Sequence, residues 1–206
     1  MNMEYNTQHL QAVRDALSPF RFLLCVDLEA TCDELPEDAP AQAKLVVEPD
    51  QMETIEIGLV VVDLHSFEVV DEFQRFVRPS INPTLTAFCK SLTSIEQHHV
   101  DGAETYQEVQ EELVAFTARY PSAAWASWGD YDAKQLARDA GLNNCPAMLH
   151  GLQHHNAKKW HWKICDCRPV GLKPATEAMG LLWQGTYHRG IDDARNLALI
   201  IKKLLQ

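Results

Sequence analysis

The sequence predicts an α/β fold: a mixed sheet with an antiparallel hairpin at one side and helices packed on its faces. Two observations carry that prediction. Strand-like segments occupy the first part of the chain and helical periodicity follows them, and a further strand-like segment is then interleaved with helices. No internal repeat and no linker-like stretch divides the 206 residues. A single domain over 1–206 is therefore expected, with its core at about 21–204 and residues 1–20 as an N-terminal helical extension.

Thr7–Leu17 sets Leu10, Val13 and Leu17 on one side of a short amphipathic helix. Phe22–Cys32, FLLCVDLEATC, opens with an apolar run and ends in Asp27-Leu28-Glu29, a buried strand with two acids at its far end. Cys32–Gln51 is acidic, contains Pro36, Pro40 and Pro49, and has no period, so it reads as a long loop; a mobile surface excursion is preferred over a lid. Glu53–Leu64 is a central strand, and Glu68–Arg78 pairs with it as a hairpin across His65-Ser66-Phe67. Pro79 and Pro83 end that section.

Short helical pieces are expected between Thr84 and Val100, and Thr105–Tyr120 has helical spacing through Val109, Leu113 and Phe116, stopped by Pro121. Ala123–Trp128 is a short apolar strand. A helix then runs through Leu136–Ala140 with Gly141 as its stop. Trp160–Ile164 is read as the fifth strand, and Lys173–Met179 as a helix closed by Gly180. Asp192–Leu204 aligns Ala194, Leu197, Ala198, Ile201 and Leu204 on one stripe, the mark of an amphipathic helix.

With 46% hydrophobic and 23% charged residues the composition is that of a globular chain. The opening MNMEYNTQHL lacks the basic head and apolar core of a secretory signal, and no apolar run approaches the roughly 20 residues of a membrane span. The six cysteines follow no framework, so reduced thiols and a cytoplasmic location are expected. A net charge of −11 argues against generic nucleic-acid binding, which depends on neutralising phosphates. The distribution is uneven: Asp27–Glu56 holds ten acids and one base, and His154–Lys173 holds five Lys or Arg, three His and one acid. One end of the molecule is thus suited to a metal and another to a polyanion, unless both are solvated faces.

Side chains on a strand alternate, so Asp27 and Glu29 point the same way, and two adjacent carboxylates repel unless something positive stands between them. A metal ion would do so; a strand end fraying into water is the plain alternative. Asp132 follows a strand and opens a helix, Asp193 lies in the first turn of the last helix, and His188 stands five residues before it in HRGIDD. Singly, Asp132 and Asp193 are plausible helix caps and His188 a surface histidine.

Together, D-x-E on the first strand, an Asp opening a mid-chain helix and H-x4-D at the last helix resemble the DEDDh 3′-5′ exonucleases of the RNase H-like fold. Asp27-Leu28-Glu29-Ala30-Thr31-Cys32, the segment FCKSLTSI at Phe88–Ile95, and HRGIDDARN at His188–Asn196 are similar to the Eri/KapD-like branch. The resemblance implies a five-stranded mixed sheet flanked by helices and two Mg²⁺ or Mn²⁺ ions per site, a hard cation for an all-oxygen donor set. It implies that Asp27 bridges both ions, that Glu29 and Asp193 hold the ion on the side of the attacking water, and that Asp132 supports the other. His188 then takes the proton of that water, since an imidazole with a pKa near 6.5 can be neutral at working pH.

Asp132 is selected over Asp130 because the family places its ligand just after an aromatic residue. Asp193 is selected over Asp192 by the five-residue step from His188, which leaves Asp192 as a cap. Glu56 stays unassigned, as a supporting group or an exposed one. For substrate the resemblance implies Phe88 and Tyr131 as aromatic faces near the terminal base, and Leu28, Ala30 and Thr31 near the terminal sugar, where a 2′-hydroxyl could be sensed. Lys158 and Lys159, with Lys163 and Lys173, would follow the phosphates. The substrate implied is single-stranded RNA or an RNA 3′ overhang, with DNA as the alternative, and the product a nucleoside 5′-monophosphate. A catalytically dead RNA-binding scaffold is the alternative from another class, disfavoured because a scaffold gains nothing from unneutralised acids. His154, His155, His161, Cys165 and Cys167 do not have usual zinc-ligand spacing.

Overall fold

A computed structural model of the chain describes residues 5–206, so residues 1–4 of the expected N-terminal extension lie outside it. Its sheet is built from β1 (Phe22–Ala30), β2 (Thr54–Asp63), β3 (Val69–Phe76), β4 (Ala123–Ser127) and β5 (His154–Asn156), in the order β3-β2-β1-β4-β5. β1 pairs antiparallel with β2 and parallel with β4; β2–β3 is the antiparallel hairpin and β4–β5 is parallel. The sheet is mixed and five-stranded, as the sequence predicts. All ten residues of β2 are buried, as befits a strand covered on both faces.

The helices are α1 (Thr7–Leu17), α2 (Ala87–Thr93), α3 (Gln97–Asp101), α4 (Tyr106–Thr117), α5 (Tyr131–Asn143), α6 (Ala157–Ile164), α7 (Leu172–Ala178) and α8 (Gly190–Leu205). The two-residue period of β1 sorts the core into two layers. Leu23 and Cys25 face a cluster built with α1, α6, α7 and α8, whereas Leu24, Val26 and Leu28 face one built with α4 and α5. Asp27 and Glu29 continue the odd-numbered series and therefore belong to the α8 face.

Two assignments are corrected. Trp160–Ile164 is part of α6, not a strand; the fifth strand is His154–Asn156. Asn156 caps α6 by accepting the Lys159 N–H at 3.0 Å, and Ala157, His161 and Ile164 are buried at helical spacing. A strand of three residues is too short to display a period of its own. Gly141 does not stop α5, which continues to a left-handed Asn144 (φ 49°). The segment between β1 and β2 has no helix or strand, as expected, yet it is folded on itself: Val47 is buried and Asp33 accepts the Val46 N–H at 2.7 Å.

Candidate active site

β1 and β4 stay paired only as far as Cys25 and Ala126, and beyond that point the strands part. The freed edge of β1 opens a cleft. Leu28 directs its N–H into it and donates to Asp132 Oδ1 at 3.1 Å, which ties the first turn of α5 to the strand. From the other side α8 arrives on a glycine contact. A Cβ on Gly58 would lie 2.0 Å from the Gly190 carbonyl carbon, and one on Gly190 would lie 3.1 Å from both Asp27 O and Gly58 N. Backbone against backbone, this approach lowers the first turn of α8 onto β1 and brings Asp193 to the acids of the strand.

The result is a cavity of about 320 Å³ whose lining includes Asp27, Glu29, Asp132, His188 and Asp193. Glu29, His188 and Asp193 converge most tightly, with one potential ligand atom from each within 4.8 Å of the others. Asp27 and Asp132 line the same cavity outside that group. Glu29, Asp132 and Asp193 are buried and Asp27 is half-buried, and among the described residues none of the four acids makes an ion pair. Asp193 Oδ1 is buried with no hydrogen-bond partner. His188 occupies the left-handed region (φ 59°), a conformation uncommon outside glycine.

Burial pushes all four acids up, and repulsion by neighbouring carboxylates adds to it at Asp27, Glu29 and Asp193. Asp27 is held well above the usual range by burial, then by Asp132, Glu29 and Asp193. Glu29 rises to about 9 through burial and the nearby charges of Asp193, Glu56 and Asp132. Asp193 is raised to about 7, chiefly by burial, against the lowering effect of the His188 N–H. Asp132 reaches only about 6, because burial is opposed by backbone N–H groups including that of Leu28. Burial lowers His188, which favours its neutral imidazole. A divalent cation is the partner this donor set fits: clustered carboxylate oxygens, one of them orphaned, with no cationic side chain to balance them.

Glu56, left unassigned from sequence, is a structural member of the site. It is fully buried opposite Glu29 in the β1–β2 register. It accepts from Arg189 Nε at 3.0 Å, from the Gly190 N–H at 3.1 Å and from Gln74 at 3.0 Å. This clamp fastens the loop carrying His188 to β2. No sequence period could pair Glu56 with Arg189, which lie 133 residues apart. Asp192 is not a helix cap: its carboxylate accepts the Thr186 N–H at 2.8 Å and pairs with Arg195, tethering the turn before α8. Asp130 is exposed and pairs with Lys159 at 3.2 Å.

Of the expected substrate residues, Leu28, Ala30 and Tyr131 line the cavity. Thr31 does not. A register shift follows Glu29, and Thr31 is buried with its Oγ1 accepting the Glu53 N–H at 2.9 Å. Phe88 is half-buried outside the lining, and Leu92, one turn further along α2, stands at the cavity instead. Lys158 and Lys159 lie on α6 away from the lining. Cys32, Met52, Trp128, Gly171, Leu172 and Tyr187 complete the walls, and the sequence alone assigns none of them to the site. His154, His155, His161, Cys165 and Cys167 do not converge; among the described residues Glu29, His188 and Asp193 form the one group of potential ligands.

The nuclease domain of 3′hExo, a DEDDh family member bound to rAMP, superimposes with a TM-score of 0.79 at 28% identity, covering 92% of this chain and 94% of that one. Fold and site together define the class, a DEDDh exonuclease of the RNase H-like fold. An exonuclease family model matches residues 24–201. The 3′-5′ exonuclease eri1 of Schizosaccharomyces pombe is 33% identical over 212 residues, 89% of this chain and 68% of that protein. Human ERI1 exoribonuclease 3 is 30% identical over 193 residues, 90% of this chain and 54% of its own length, so the chain spans about half of that relative. The chain belongs to this exonuclease family, among its Eri1-type 3′-5′ exonucleases.

Proposed function

We propose that the chain removes nucleotides one at a time from RNA 3′-hydroxyl ends, single-stranded or overhanging, and releases nucleoside 5′-monophosphates. The observation that carries this reading is the convergence of Glu29, His188 and Asp193 within 4.8 Å at the head of an opened strand edge. Two divalent cations, Mg²⁺ or Mn²⁺, held by Asp27, Glu29, Asp132 and Asp193, would supply Lewis-acid stabilisation of the phosphodiester and the departing 3′ oxygen. His188, neutral through burial, accepts the proton of the attacking water at a ring nitrogen, beside Glu29 and Asp193.

The terminal nucleotide is gripped by what β1 leaves free. A strand residue turns its N–H and C=O to the same edge; with the Leu28 N–H given to Asp132 and the Ala30 carbonyl accepting from Cys89 Sγ, the Leu28 C=O and the Ala30 N–H are left to meet the terminal ribose. A 2′-hydroxyl can both donate and accept there, which supports RNA over DNA. Tyr131, 47% exposed at the start of α5, offers a ring face for the base, with Leu92 also on the cavity wall. Upstream phosphates pass toward α6 and α7. Among the described residues Lys158, Lys163, Arg168 and Lys173 of that region form no ion pair, whereas Lys159 is taken by Asp130.

End-labelled RNA and DNA of one sequence, incubated with Mg²⁺, Mn²⁺ or EDTA, test the reading. RNA is expected to shorten from its 3′ end to 5′-mononucleotides, faster than DNA and only with metal. Asp27→Ala should lower the rate at least about 10³-fold. Equal rates on the two polymers would replace RNA by DNA as an equal substrate, and undiminished turnover in Asp27→Ala would remove the mechanism.

A further inference from the structure

Among the described residues His188, the proposed base, has no hydrogen-bonding partner to orient it. Its ring nitrogens make no hydrogen bond among the described residues, and the carboxylate oxygens of Glu29 and Asp193 stand within 4.8 Å without bonding it. Its backbone lies in the left-handed region, so no regular helix or strand sets the direction of its side chain. A catalytic histidine is ordinarily aimed by a third group that bonds its far nitrogen. Here the group against it is an aromatic ring: Tyr187 and His188 have ring centroids 3.9 Å apart at an interplanar angle of 33°.

Tyr187 is in turn held from two directions. The ring of Trp183 meets it edge-on at 5.2 Å and 87°, and the Lys173 ammonium of α7 stands 5.5 Å from its centroid and 6.0 Å from that of Trp183. Its hydroxyl reaches over Gly171, where a Cβ would come within 3.8 Å of it. Tyr187 also lines the same cavity as His188, Glu29 and Asp193.

We propose that Tyr187 is a positioning residue, which fixes the His188 imidazole against Glu29 and Asp193 by stacking, with Lys173 and Trp183 holding the stack. The inference rests on His188 being the base. Without the ring, the half-buried imidazole is free to turn into the cleft, and a displacement of about 1 Å at a reacting group can cost on the order of 10²-fold in rate. The ribose and base contacts proposed above fall to Leu28, Ala30, Tyr131 and Leu92 on the other walls of the cavity, so the loss of the Tyr187 ring should fall on kcat more than on KM.

The full chain is assayed with Mn²⁺ and a 3′-labelled RNA oligonucleotide. Tyr187→Ala should lower kcat by about 10- to 100-fold with KM within about twofold, and Tyr187→Phe, which keeps the ring, should stay within about threefold of the parent. In the metal-free protein, the His188 ring-proton NMR signals, assigned by their loss in His188→Ala, should be shifted upfield in the parent and in Tyr187→Phe and move downfield in Tyr187→Ala. Adding Tyr187→Ala to His188→Ala should change nothing further. Unchanged kcat in Tyr187→Ala, an equal loss in Tyr187→Phe, or additive losses in the double variant would overturn the proposal. Full turnover in His188→Ala alone would overturn the base reading itself, a result distinguishable from these.

Discussion

Asp193 and Glu56 are both buried acids of one site, and they differ in their company. Asp193 keeps an orphaned oxygen, whereas Glu56 is satisfied by Arg189, Gln74 and the Gly190 N–H. The first arrangement waits for a cation and the second already has one, so Glu56 is set to hold the loop and not a metal. Truncating one partner of such a pair leaves the other charge uncompensated. Glu56→Ala is accordingly expected to lower the unfolding free energy by about 3 kcal/mol in urea titrations, with Arg189 now unpaired and the His188 loop released. Glu56→Gln, which keeps an acceptor for the Gly190 N–H, should lose less. A change below about 0.5 kcal/mol for Glu56→Ala would show that the clamp adds nothing. Asp27, Glu29, Asp132, His188 and Asp193 were legible as a set because their order and spacing match a known pattern. Glu56, Leu92 and Tyr187 were not: Glu56 gains its meaning from a partner distant in sequence, Leu92 from the angle of a helix and Tyr187 from a ring-to-ring contact with the next residue, and none of these leaves a period in the chain.

At the scale of elements the site depends on how α8 meets β2. Gly58 and Gly190 let two backbones touch, and the odd-numbered face of β1 then delivers Asp27 and Glu29 to the same helix end. A methyl group at Gly58 would sit 2.0 Å from one backbone carbon and 2.2 Å from both Gly190 O and the Ile191 N. No rotamer relieves that overlap, so the helix must lift from the sheet. Gly58→Ala should therefore cost at least about 3 kcal/mol, seen as a fall in Tm, and should cost far more activity than stability because Asp193 moves with the helix. Gly102→Ala, with open space around its Cβ and ordinary φ, is the matched control and should leave both unchanged. The strands around this contact were readable from alternation, as was α8 from its apolar stripe. What misled was the stretch 157–164, where Trp160 and Trp162 suggest alternation while burial of Ala157, His161 and Ile164 follows the helical period. Aromatic residues favour strands by type, and here the capping Asn156 and the packing of one helical face outweigh type.

Over the whole molecule the net charge of −11 is organised around what is left unpaired. Arg21, Arg75, Arg119, Arg189 and Arg195 neutralise acids outside the cavity, and the four site acids receive no cation among the described residues. The metal-free protein meets that repulsion with protons. Asp132, Asp193 and Glu29 keep theirs to about 6, about 7 and about 9, while unfolded carboxylates release them near about 4. At these three carboxyls the folded chain thus holds more protons than the unfolded one from about pH 4 to about pH 9. The contribution of these groups to stability is fully present below about 4 and is lost as pH rises through 9. A divalent cation reverses this, since it binds ionised carboxylates of the folded chain and displaces fewer protons the higher the pH. The Tm with saturating Mg²⁺ minus the Tm in EDTA should therefore be larger at about pH 8.5 than at about pH 6. His99, His154, His155, His161 and His188, all lowered by burial, act in the opposite sense below about 6.5. The first four lie outside the cavity and contribute equally with and without the ion, so they cancel in the difference, whereas an ion beside His188 disfavours its protonated form and adds to the gain at higher pH. Replacing Asp193 with Asn removes one raised carboxyl and should flatten the dependence. A difference that stays constant or shrinks with rising pH would mean that the cation binds somewhere other than these acids.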